Sequence, residues 1–417
     1  AGETGCLVAM VATDQQAGPA SRQAGSASPQ AGSASQQAGV ASRVEVREAD
    51  GRVRASWSLP ASPLGSFMLA DMDADGARDM VYVSGNDLYV IDLSTGRPLA
   101  EVPFARPTSA RFALADVDED GLLDAAVSLS DGTLQLVPGR KVLWSWSTGH
   151  SVRRSPRLVD LTGDGTPEVV FSSLDSHAYA LEGRSGRLLW KAPIGGQAAT
   201  RPAVAGGDLV LAAWGGRAAR VRGRTGAEVW SYVPQVDGWS VNFHASPLVA
   251  DIDGDGRLEV VLADWRTDPD EKKDPSGAIH CLDAETGRVN WVKELSGPFA
   301  SAPAFAVPGE VVAGDTGGTL FCLGADGAVK WQEAHAGQFL ADPRPAPGED
   351  GTLVWIVSGT GEVLETRGGE AGSKASSEFP RALHVEWGTA AGKPIRVVAA
   401  RKDVAAVDPS TGTILWR

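Results

Sequence analysis

ASPLVADIDGDGRLEVVLAD at residues 245–264, followed by GAIHCLDAETGRVNW at 277–291, decides the fold. Four short apolar runs stand between turn residues: ASPLVAD (245–251), LEVVLAD (258–264), AIHCLD (278–283) and RVNWV (288–292). Runs of this length, bounded by Gly and Asp, read as strands A, B, C and D of one antiparallel unit. The phrase DAETG, Asp283 to Gly287, makes the tight C–D turn, where glycine supplies a positive φ.

The tryptophan that ends this unit recurs. SGRLLW ends at Trp190, TGAEVW at Trp230, TGRVNW at Trp291, DGAVKW at Trp331 and TGTILW at Trp416. DGRVRASW at Trp57 and GRKVLW at Trp144 are earlier copies, and STGRPLA carries Ala100 instead. Most steps are 40 to 46 residues; 230 to 291 holds an insertion near 264–277, and 331 to 416 spans two periods, with a degenerate unit around 338–379. A period near 42 with four short strands predicts an all-β fold, a β-propeller of four-stranded blades. Eight full units start near 64, 107, 151, 197, 240, 298, 338 and 381, with seven or nine blades as the alternatives. Residues 1–13 read as the edge strand of a partial blade completed by 43–58, and the propeller spans 43–417. Between them, 14–42 is Gln, Ala, Gly and Ser with QAGSAS twice, a low-complexity insertion unable to bury a core. The recurring tryptophans are expected to pack between blades; contact with a cofactor is the alternative.

Composition narrows the function. Net charge is −14, which argues against nucleic acid as a partner and suits divalent cations. No run of 18 apolar residues exists, so no transmembrane helix is expected. Three cysteines are too few for a disulfide scaffold. Cys6 follows Glu3-Thr4-Gly5, which lacks the aliphatic residue expected before a lipidated cysteine. The chain starts at Ala1, as a processed protein or a piece of a longer one would.

Four blades carry an acidic A–B loop. Its ligand positions are Asp71, Asp73, Asp75 and Asp79; Asp116, Asp118, Asp120 and Asp124; Asp160, Thr162, Asp164 and Glu168; and Asp251, Asp253, Asp255 and Glu259. Oxygens at positions 1, 3, 5 and 9, a carbonyl at 7 and glycine at 6 can wrap one hard cation, and the loose, oxygen-only set suits Ca²⁺. Three to four structural calcium sites are expected, the third loop being weaker for its Thr162; a hydrated acidic turn is the alternative. The other blades have short A–B turns, such as Ala205-Gly206-Gly207-Asp208.

Two repeat families resemble these phrases. The tryptophan-ended phrase resembles the PQQ-like repeat of quinoprotein dehydrogenases and of BamB; the acidic loop with its following strand resembles the FG-GAP (VCBS-type) repeat of integrin α heads. Both resemblances imply a propeller, and both families host enzymes as well as binding proteins. Quinoprotein dehydrogenases carry an adjacent cysteine pair, which this chain lacks. Cys281 and Cys322 instead share one repeat position, where other blades have Ala180 or Ala406, so they are expected to be free core thiols. No linear catalytic motif or metal-binding histidine pair is present, and no catalytic residue is assigned.

Propeller topology puts the acidic loops on one face and the D–A and B–C loops on the other. The second face gathers Trp214, Trp239, Asn242, His244, Trp265 and Arg266, interface-favoured types in long loops, and is the expected partner surface. Aromatics merely capping the core are the alternative. Arg153, Arg154, Arg201, His244, Arg344 and Arg381 fall at the inner ends of strands A, at the mouth of a channel. The expected function is a non-catalytic, calcium-binding binding or adhesion module outside the cytoplasm (cell surface, secreted or periplasmic) with a protein or glycan partner. The alternatives are an envelope-assembly scaffold similar to BamB and a calcium-dependent polysaccharide-active enzyme.

Overall fold

A computed structural model describes residues 7–14, 40–47, 53–61, 67–76, 78–92, 95–197, 200–340, 342–345, 353–357, 362–377, 382–390, 393–400, 404–407 and 414–416. Cys6, Arg381 and most of the low-complexity segment lie outside the described residues.

Each repeat unit is a four-stranded antiparallel sheet, its strands side by side in chain order. Among the described residues there are eight such sheets, at 68–103, 108–147, 157–193, 203–232, 248–295, 304–334, 344–377 and 382–416. Together they form the β-propeller that the repeat predicts. A three-stranded sheet of Leu7–Asp14, Val40–Arg47 and Val53–Ser58 precedes them, and its first strand lies against the last four-stranded sheet.

Burial follows strand position. Strand B is buried at every residue in Asp79–Ser84, Asp124–Leu129, Glu168–Ser173 and Glu259–Ala263, because neighbouring sheets cover both its faces. That is why strand B reads as a nearly continuous apolar run, without alternation. The core is correspondingly shared between sheets: Trp230 of one packs with Val260, Leu262 and Leu282 of the next. Strand D lies at the outer edge and alternates, as in Val329–Ala334. The short A strands of successive sheets neighbour one another on the inner side.

The tryptophans join one sheet to the next. Trp144 Nε1 donates to the Gly183 carbonyl at 2.7 Å, Trp190 to Gly223 at 2.6 Å, Trp230 to Ala284 at 2.9 Å and Trp291 to Ala325 at 2.6 Å. Each acceptor lies at the C–D turn of the following sheet. The glycine of that turn receives the indole face: a Cβ on Gly186, Gly226, Gly287 or Gly327 would sit 2.6–2.8 Å from the preceding tryptophan ring. So the turn glycine does two things, adopting positive φ and leaving room for a ring. Trp331 Nε1 is buried without an acceptor.

Opposite Trp190, Trp230, Trp291 and Trp331 the C strand carries a β-bulge, at Ala180, Arg220, Cys281 and Cys322. The two cysteines are free and buried, and burial pushes each thiol up to about 12. Inert thiols filling a small core position match their shared repeat register.

Candidate functional site

The acidic loops share one hydrogen-bonded frame. The position-9 carboxylate is buried and accepts the position-2 N–H: Asp79 from Met72 at 2.8 Å, Asp124 from Val117 at 2.8 Å, Glu168 from Leu161 at 2.6 Å and Glu259 from Ile252 at 2.7 Å. The position-1 aspartate accepts the N–H of the position-6 glycine at 2.9–3.0 Å in all four loops. Positions 4 and 6 are left-handed throughout: Ala74 and Gly76, Glu119 and Gly121, Gly163 and Gly165, Gly254 and Gly256. Two positive-φ residues within three curl the loop so that its acids converge.

The convergence is tight in three loops. Asp71, Asp73 and Asp79 bring one oxygen each within 4.8 Å of one another, as do Asp116, Asp118 and Asp124, and Asp251, Asp253 and Asp255. Among the described residues no such trio forms at 160–168, where Thr162 replaces an acid. Burial, and then the neighbouring carboxylates, push Asp79 up to about 7 and Asp124 up to about 6; Glu168 and Glu259 are raised for the same reasons. Asp71 Oδ1 and Asp116 Oδ1 are buried with no hydrogen-bond partner. Orphaned anionic oxygens inside an acid cluster fit a bound cation, which would satisfy them and relieve the repulsion. In the fourth loop Arg257 binds Asp255 at 2.9 Å, so part of that charge is already met.

On the other face, the candidate partner residues separate into two groups. Trp214, His244 and Trp265 form a half-buried row, with ring centroids 5.0 Å apart at both steps. Exposed Arg153 lies over Trp214, 5.5 Å from its centroid, and Trp214 Nε1 has no partner. Burial, and then Arg154, hold His244 below the ordinary histidine range. Asn242 Oδ1 accepts the Gly215 N–H at 2.9 Å, fixing the loop beside Trp214. Trp239 stands apart from the row, under Lys273 at 5.2 Å. Further in, Arg157 donates to the Pro202 carbonyl at 2.7 Å, and burial with nearby Arg201 pushes its guanidinium down to about 10.

Two expectations need correction. The D–A and B–C segments here are not plain loops: Ser240–Asn242 pairs with Trp265–Thr267 as a two-stranded ribbon. And Arg266 is not a surface residue. Its side chain is 2% exposed, with Nε 2.8 Å from Asp264 and Nη1 2.6 Å from Glu294. Asp264 also takes His280 Nε2 at 2.9 Å and the Ala278 N–H at 2.6 Å, and Tyr232 reaches His280 Nδ1 at 2.9 Å. A charged side chain flanked by an aspartate two residues back and a histidine on the paired strand was the available signal; strand register, unknown from sequence, brings them together. The His280–Asp264 pair has the types of a general-base dyad but lies inside the blade, closed to substrate.

Among the described residues no helix is long and apolar enough to cross a membrane. A family model described as outer membrane protein assembly factor BamB matches residues 130–267 and 275–417. Among solved structures, BamB from Moraxella catarrhalis is 15% identical, with 76% of this chain and 88% of that one covered and a TM-score of 0.53. The computationally designed Ika8 protein is also 15% identical, covering 83% of this chain and 98% of its own at a TM-score of 0.54. At these identities the two structures speak for the fold alone. No curated protein matches.

Proposed function

Because the chain belongs to the family described as outer membrane protein assembly factor BamB, we propose that it is a non-catalytic binding scaffold of the cell envelope, stabilised by calcium, that holds a protein partner on the face carrying Trp214, His244 and Trp265. The row of tilted rings, with Arg153 over Trp214 at one end, carries the partner assignment. Half-buried aromatics beside an exposed arginine are what interface hot spots are made of. The test is co-purification of cross-linked partners from envelopes with the wild type and with a Trp239→Ala, Trp265→Ala double variant. Loss of a hot spot of about 2 kcal/mol weakens binding about thirtyfold, so recovery should collapse while the melting temperature moves little. Undiminished recovery of the same partner would overturn the assignment, and capture of a glycan in its place would favour adhesion.

Calcium would be held by Asp71, Asp73, Asp75 and Asp79, by Asp116, Asp118, Asp120 and Asp124, and by Asp251, Asp253, Asp255 and Glu259. It would supply positive charge that pins the A–B turns, with no part in a reaction. An extracytoplasmic location agrees with this, since weak sites of oxygen ligands fill at the millimolar calcium found outside cells. Chelation should therefore lower the melting temperature. A ligand at a hundredfold excess over its Kd contributes about 2.7 kcal/mol per site. Thermal melts with and without chelator, alongside elemental analysis, check this; equal melts and no bound metal would remove calcium from the account.

A further inference from the structure

We infer that the third acidic loop, 160–168, needs no metal because Arg224 of the next blade serves as its resident cation, and that Glu119 keeps the corresponding arginine, Arg184, out of the second loop. The first half stands without the calcium reading; the role of Glu119 rests on it.

The two arginines occupy one repeat position. They lie in the C–D turns Gly183-Arg184-Ser185-Gly186 and Gly223-Arg224-Thr225-Gly226. Each turn leans on the acidic loop of the blade before it. A Cβ on Gly183 would meet Val117 at 2.4 Å, and one on Gly223 would meet Leu161 at 2.9 Å, the position-2 residues of the second and third loops. The next residue in each turn is the arginine, so both guanidinium groups are delivered to the mouth of an acidic loop.

What they meet there differs at position 4. In the second loop it is Glu119, held at φ 62°. Its carboxylate takes Arg184 Nη2 at 2.6 Å and the Thr166 hydroxyl at 2.8 Å, so the arginine stops at the rim. Behind it Asp116 Oδ1 stays buried and unpartnered. In the third loop position 4 is Gly163, at φ 76°, with no side chain to intercept anything. Arg224 Nη2 reaches past it and, at the exposed mouth of the loop, donates to the Thr162 carbonyl. A Cβ on Gly163 would lie 3.3 Å from that nitrogen.

The third loop is otherwise self-satisfied. Asp160 Oδ1 accepts from the Gly163 N–H at 2.6 Å and the Asp164 N–H at 3.3 Å, and Oδ2 accepts from Gly165 at 2.9 Å. Thr162 contributes a hydroxyl toward Glu168 Oε1, 3.4 Å away, where the other loops have a carboxylate. Asp251 of the fourth loop is bonded in the same way, so what sets the third loop apart is its missing acid at position 3 and the guanidinium at the Thr162 carbonyl, which together lower its demand for a cation.

The experiment counts bound calcium by titration calorimetry on the full chain and follows melting with and without chelator. Asp160→Asn should leave the calcium count unchanged, whereas Asp116→Asn and Glu119→Gly should each lower it by one. Arg224→Gln should lower the melting temperature equally with calcium and with chelator. Thr162→Asp combined with Arg224→Gln should gain one calcium. A count that falls by one in Asp160→Asn, or an Arg224→Gln protein that melts like the wild type, overturns the role of Arg224. An unchanged count in Glu119→Gly overturns the role of Glu119. A wild type that binds no calcium defeats the calcium reading and the Glu119 role together, and the melting of Arg224→Gln still decides the third loop.

Discussion

Replacing Trp230 by alanine should destabilise the protein by about 3–5 kcal/mol, the cost of removing a buried aromatic from a packed core. The indole is 8% exposed, lies against Val260, Leu262 and Leu282 of the next blade, covers Gly287 and donates to the Ala284 carbonyl. Alanine leaves a cavity between two blades that cannot close, since both sheets are held by their own ladders. Trp230→Phe keeps most of the volume and loses the hydrogen bond, and should cost about 1–3 kcal/mol. Gly287→Ala attacks the same joint from the other side, forcing a Cβ to 2.6 Å from the ring at a positive φ. Chemical denaturation of the three variants checks the ordering. Trp265→Ala, on the half-buried row, should cost much less than Trp230→Ala; equal costs would show that the joint is no more central than the surface row.

The second large effect is expected at Asp264. Asp264→Ala should cost about 3–5 kcal/mol, as removal of one partner of a buried ion pair does. It strips Arg266 of its buried counter-charge and leaves only Glu294, whose side chain is 69% exposed. The His280 ring and the Ala278 N–H lose their acceptor as well. Arg266 Nη2 already lacks a partner, so the exposed Glu294 alone is left to meet the charge. Asp264→Ala combined with Arg266→Met should be milder than Asp264→Ala alone, because no charge is then stranded. Urea midpoints for the set, with hydrogen exchange across 259–283, measure it. A double variant worse than the single would mean that the guanidinium stem matters for packing and not for charge.

The repeat made most of the fold legible. Trp190, Trp230 and Trp291 mark strand D directly, because one side chain per period must fill one joint per period. The acidic loops were equally plain, since their spacing encodes their curl. Arg266 was misread because its neighbours Asp268 to Asp274 look like solvated coil, while its counter-charges are Asp264, two residues back, and Glu294 on strand D. Arg184 and Arg224 were passed over for a related reason. Their partners lie 65 and 62 residues away in the chain, one blade back, and only inter-blade geometry joins them. What spacing along the chain specifies could be read; what folding brings together from distant strands or from the neighbouring unit could not.

The tryptophan joint has a direction. Among the described residues, four successive units carry an indole, Trp144, Trp190, Trp230 and Trp291, that reaches forward into a glycine turn of the next. A tandem duplication of the 40-odd residues between two tryptophans therefore delivers both halves of a joint at once, in register, with no new contact to invent. Such a molecule can lengthen by copying, and its copies can then drift apart everywhere except at the joint. The units differ accordingly: Ala100 stands where others have an indole, the unit at 248–295 carries a ribbon, and the A–B loops are acidic or short. Inheritance of a directional joint separates what must be kept from what is free to be recruited.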